Sequence, residues 1–126
     1  MTTPITRSEI EWLLVHWARW AYHRRGIGLD WPSIEPYERL AHERMGDTAP
    51  TPEIADRVAQ AVDRAVAELI QARPAEGEAL ARYYLNRETY RSLARKLKRR
   101  HQIVAHQVDA GRMWVEGRLV DLLAAD

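Results

Sequence analysis

The chain has 126 residues, 29% charged and 46% hydrophobic, with a formal net charge of +1 at pH 7 and no cysteine. That is enough for one domain, residues 1–126, with its own core, and it excludes a disulfide scaffold, a thiol nucleophile and a Cys-ligated zinc. The apolar stretch from Ile10 to Ala21 is broken by Glu11, His16 and Arg19, so neither a signal peptide nor a membrane span is expected, and the expected location is the cytoplasm.

Helical periodicity runs through the sequence and no segment sustains a strand alternation, so the predicted fold class is all-α, a compact helical domain. The first helix is expected from about Ser8, with Ser8 and Glu11 as a capping box and Thr6 and Glu9 as a second candidate. Ile10, Leu13, Leu14, Trp17 and Ala21 form its apolar stripe. It should end before Gly26. A turn at Asp30 to Ser33 and a short helix from Ser33 to Arg44 follow. Gly46 to Pro52 reads as a loop, with Thr51 as N-cap and Pro52 opening a helix that runs to Arg73. Ile54, Val58, Ala61, Val62, Ala65 and Leu69 are its predicted inner face. After Pro74 a helix over Ala75–Asn86 should bury Leu80, Tyr83 or Tyr84, and Leu85. Trp17 and Trp31 are expected in the core, with at least one of Trp12 and Trp20 partly exposed.

The stretch from Arg87 to His101 holds seven Lys/Arg against one acid, Glu88, so it carries +6 while the rest of the chain sums to −5. Such a segment points to a polyanion, with nucleic acid the leading candidate. Glu88–Leu97 reads as a short helix with Tyr90, Leu93, Ala94 and Leu97 inward. Lys98, Arg99 and Arg100 read as a tight turn. His101–Ala124 reads as a long helix burying Val104, Val108, Gly111, Val115, Leu119 and Leu122. A short helix, a three-residue turn and a second helix make a helix-turn-helix, here at about residues 88–120. The expected DNA-binding residues divide by position. Arg95, Lys96, Lys98, Arg99 and Arg100 would meet phosphates, while His101, Gln102 and His106 would reach base edges. Such turns usually bury an apolar residue and Arg99 is hard to bury, so either Ile103 and Val104 fill that place or the turn is remodelled.

The segment from Glu78 to Leu97 resembles region 4 of bacterial sigma factors, with Thr89 as the cap and Leu93-Ala94-Arg95-Lys96-Leu97 as the helix core. A wider resemblance includes the N-terminus. Val15-His16-Trp17-Ala18-Arg19-Trp20-Ala21 and then Trp31-Pro32-Ser33-Ile34 resemble the opening of the lambdoid-phage antitermination protein Q family, phage 21 type. Tyr83-Tyr84, Thr89 and Ser92-Leu93-Ala94-Arg95-Lys96 match that family's later segment in the same order. The family often has cysteines near its turn and a glycine before the Thr cap. This chain has no cysteine, and Asn86 stands at the glycine position.

The resemblance implies double-stranded DNA, bacterial RNA polymerase with its sigma factor during loading, and nascent RNA threaded through a collar as partners, in the bacterial cytoplasm. It implies a factor that binds a promoter-proximal DNA element, loads onto paused polymerase and blocks terminator hairpins at the RNA exit channel. Arg19, Arg24, Arg25, Arg39 and Arg44 are candidates for lining such a lumen. The blocking is steric, so neither catalytic residue, cofactor nor metal is expected. His101 and His106 are five apart and do not align on one helix face, and His106 with Asp109 lacks further ligands. No nucleophile elbow or phosphate-binding glycine loop is present. The competing reading is a conventional helix-turn-helix regulator that stays at the promoter. A third is a sigma-like adaptor that binds polymerase without reading DNA itself.

Overall fold

In the first helix of the computed structural model, α1 (Arg7–Arg25), the cap is Thr6. Its Oγ1 accepts a hydrogen bond from the Glu9 amide at 3.2 Å, and its carbonyl accepts from the Ile10 amide at 3.0 Å. This corrects the Ser8 cap: a capping side chain must reach an amide two or three residues ahead while lying outside the helix, and Ser8 is already inside it. The structure describes residues 5–25 and 54–124, without the side chains of residues 23–25. The predicted turn at Asp30–Ser33, the helix at Ser33–Arg44, the loop with Thr51 and Pro52, and the core role of Trp31 lie outside the described residues.

Helix α2 spans Asp56–Ala72. It starts four residues later than the sequence predicts, because Ala55 is extended (φ −65°, ψ 142°) and no side chain caps it. Its buried side is Ala59, Val62, Ala65, Val66 and Leu69. The inner face is therefore turned from the expected one, with Ala59 and Val66 inside and Val58 and Ala61 only half-buried. The indoles of α1 fix this rotation. Trp17 Nε1 donates to Asp63 Oδ1 at 3.1 Å and Trp20 Nε1 donates to Asp56 Oδ1 at 3.0 Å. Higher positions on α1 meet lower ones on α2, so the two helices run antiparallel along this contact. Each buried indole thus keeps a partner for its N–H.

Pro74 opens α3 (Pro74–Leu85) at a position where a missing amide costs nothing. Here α2 and α3 come very close: a Cβ on Gly77 would lie 2.6 Å from Ile70 Cα. Leu80 and Tyr84 are buried, while Tyr83 and Leu85 are half-buried. After α3, Arg87 takes a left-handed conformation (φ 54°). Asn86 stays at φ −96°, so the position in this turn that favours glycine is Arg87, two residues before the Thr89 cap, and not Asn86.

Helix α4 is short, Tyr90–Leu97, and Thr89 Oγ1 caps it by accepting from the Ser92 amide at 3.1 Å. Its fully buried anchor is Leu93. Helix α5, His101–Ala124, has the predicted bounds and buries Val104, Val108, Gly111, Val115 and Leu119. Packed against all four of the other described helices, α5 is the spine of the described fold. Gly111 allows α5 to approach α3 closely, since a Cβ there would meet Leu80 Cδ1 at 2.9 Å. The described residues are all-α. Among them no helix is long and apolar enough to cross a membrane.

Candidate nucleic-acid interface

The basic run folds as α4, a turn and the first turn of α5. Lys98 closes α4 in a left-handed conformation (φ 56°, ψ 48°), and the Arg99 amide returns to the Ala94 carbonyl at 3.0 Å. That bond from the second residue past the helix to its last turn is the Schellman closure. Lysine there costs about 1 kcal/mol that glycine would not. The Arg100 carbonyl then accepts from the Ile103 and Val104 amides, both at 3.0 Å, and starts α5. Val104 takes the buried place behind the turn with 0% exposure, whereas Ile103 is 46% exposed.

The expected DNA-binding residues fall into two groups. Arg95, Lys98 and Arg100 are exposed, as is Arg91, and among the described residues these four make no ion pair or hydrogen bond through their side chains. His101, Gln102 and His106 are exposed on α5. His101 also meets Tyr90 edge-on, with centroids 6.1 Å apart. Lys96 and Arg99 are held by the protein itself. Lys96 Nζ pairs with Glu88, whose carboxylate also accepts from Ser92 Oγ at 3.0 Å. Arg99 donates to Gln107 Oε1 at 3.0 Å and to Glu78 Oε1 at 3.3 Å, tying the turn to α5 and α3.

Glu88 is not singled out by sequence reasoning, yet it is buried at the entrance to α4. Its spacing of four and eight residues to Ser92 and Lys96 is the signal that points to it. A second unpredicted group lies behind the interface, around Arg112. Its Nε donates to Tyr84 Oη at 2.6 Å and its Nη2 to Tyr90 Oη at 3.3 Å. The Tyr84 hydroxyl donates to Glu11 of α1. Arg112 also pairs with Glu11 at 3.4 Å and Asp109 at 3.6 Å. Tyr83 stacks on Tyr90 with centroids 4.8 Å apart. Burial, then the bond to Glu11, pushes the Tyr84 hydroxyl's pKa well above the ordinary tyrosine value. Burial alone would lower the Arg112 pKa, but hydrogen bonds and charge interactions with Tyr84 and Tyr90 raise it. This cluster ties α1, α3, α4 and α5 together and holds the short helix on the long one.

Of the arginines considered for a lumen, Arg19 is half-buried, and its Nε makes no hydrogen bond. The side chains of Arg24 and Arg25, and all of Arg39 and Arg44, lie outside the described residues. Trp17 and Trp20 are core, while Trp12 is 43% exposed. Trp114 is half-buried against the core.

Neither a curated protein nor a solved structure matches the chain. The family model described as phage antitermination protein Q matches residues 7–124, a span that includes all five described helices, and the chain therefore belongs to the phage antitermination protein Q family.

Proposed function

We propose that this antitermination protein reads a promoter-proximal duplex with α4, the Lys98–Arg100 turn and the start of α5, and then loads onto paused RNA polymerase still holding its sigma factor. It travels with the enzyme as a collar at the RNA exit channel, where nascent RNA passes single-stranded and terminator hairpins have no room to fold. The blocking is steric and requires no catalytic residue, cofactor or metal.

One observation carries the DNA-loading part. Arg91, Arg95, Lys98 and Arg100 leave their charges unneutralised within the described fold, on a short helix and turn that present Gln102 and His106 beside them. Unpaired cations keep their full attraction for phosphates, and each phosphate neutralised releases counterions. Family membership supports the antitermination part.

The test is transcription by bacterial RNA polymerase through a distal intrinsic terminator. The template carries a duplex site selected by the protein near a promoter-proximal pause. Readthrough should rise only when protein and site are both present. Site-specific binding without increased readthrough would leave a conventional promoter-bound regulator. Polymerase binding that survives the reversals Arg95→Glu and Arg100→Glu, with no duplex binding by the unaltered chain, would leave a sigma-like adaptor.

A further inference from the structure

Three large hydrophobic side chains are exposed among the described residues: Trp12, Ile103 and Met113. Trp12 rests on His16 with ring centroids 4.1 Å apart, and Met113 lies near the middle of α5. Ile103 has different surroundings. It sits in the first turn of α5, next to exposed Gln102, three residues from exposed His106 and three from exposed Arg100. At 46% exposure it adds little to the core, because Val104 already fills the place behind the turn.

Residues three and four apart share a helix face, so Gln102, Ile103 and His106 lie together on the side of α5 away from Val104 and Val108. The neighbouring Arg99 guanidinium is drawn back to Gln107 and Glu78, which leaves this face with two polar side chains and one apolar one. The major groove offers polar edges on every base pair and a single apolar feature, the thymine C5 methyl.

We propose that Ile103 reads a thymine methyl in the duplex site, while Gln102 and His106 take neighbouring polar base edges. The inference rests on the duplex-binding reading above and adds to it the kind of base recognised. It assigns specificity to an aliphatic residue amid cationic ones, where the cations provide affinity without sequence information.

The test begins with duplexes enriched by the full-length chain from a random library. Each thymine is then replaced singly by deoxyuridine, which removes only the methyl. At one thymine the replacement should weaken binding about 3- to 10-fold. Ile103→Ala should bind the thymine and uracil duplexes alike, at the level of the unaltered chain on uracil. Gln102→Ala should weaken both duplexes yet keep the methyl preference. Because Ile103 is exposed, Ile103→Ala should melt with the unaltered chain, which separates recognition from folding. The proposal is overturned if no thymine responds to the replacement, or if Ile103→Ala keeps the full preference. If no duplex is enriched, the duplex-binding reading itself fails and this inference falls with it.

Discussion

Two groups of cations on neighbouring parts of this molecule are used in opposite ways. Around Arg112, the guanidinium is surrounded by Tyr84, Tyr90, Glu11 and Asp109, with its side chain 15% exposed. On α4 and its turn, Arg91, Arg95, Lys98 and Arg100 stand in solvent with no partner among the described residues. The first group spends its charge inside the fold and holds α4 against α5. The second leaves its charge available. Lys96 and Arg99 belong by sequence to the second group and by structure to the first, since Glu88, Glu78 and Gln107 hold them. Counting basic residues therefore overstates what a phosphate backbone would meet.

The largest effect that distinguishes the groups should come from Arg95→Glu combined with Arg100→Glu. Duplex affinity should fall at least about 100-fold at moderate salt, measured by fluorescence anisotropy, while the thermal midpoint stays nearly unchanged. A large loss of stability in this variant would break the distinction. Arg112→Met should do the reverse at first hand, destabilising the chain by about 2–3 kcal/mol in urea, because Tyr84, Tyr90 and Glu11 lose a shared partner. Lys96→Met leaves the buried Glu88 carboxylate without its cation and should cost about 1–2 kcal/mol. If it instead lowers the salt slope of duplex binding with stability intact, Lys96 belongs with the free cations.

A smaller effect with two opposite readouts is expected of Lys98→Gly. The left-handed backbone suits glycine, so stability should rise by about 0.5–1 kcal/mol, while the log–log salt slope of binding should drop by about 0.9 if Lys98 meets a phosphate. The smallest effect concerns Glu68, where hydrogen bonds from Arg118 at 2.7 and 3.3 Å hold the carboxyl below its ordinary value of 4.5. Burial opposes this shift but does not outweigh it. A folded-state value below the unfolded one gives stability that is complete above about 4.5 and lost as pH falls through the lower value. In urea titrations at several pH values, the advantage of the unaltered chain over Glu68→Gln should therefore be complete above about pH 4.5 and shrink steadily as the pH is lowered below it.

Much of the described fold was legible from periodicity and punctuation. The bounds of α5, the break at Pro74 and the turn at Lys98–Arg100 follow from local rules, because each depends on residues within one or two helical turns; the Thr89 cap is legible only through the resemblance, since periodicity alone starts α4 at Glu88, two residues before its observed start at Tyr90. Two features depend on more than local pattern: the choice between the two capping candidates of α1 and the rotation of α2. Thr6 rather than Ser8 caps α1, and the inner face of α2 turned toward Ala59 and Val66 once Trp17 and Trp20 found Asp63 and Asp56. In the candidate interface the order of elements was legible, but the availability of each charge was not.

The sequence by itself determined an all-α chain with a concentrated positive charge between a short helix and a long one, since helix period, caps and net charge are properties of neighbouring residues. Only the tertiary structure decided which cations remain free. Glu11 meets Tyr84 across 73 positions and Arg99 meets Glu78 across 21, and partners so far apart in sequence are chosen by how the helices pack. Ile103 shows the same division: its place in the first turn of α5 is written in the sequence, whereas its exposure was settled when Val104 took the buried position.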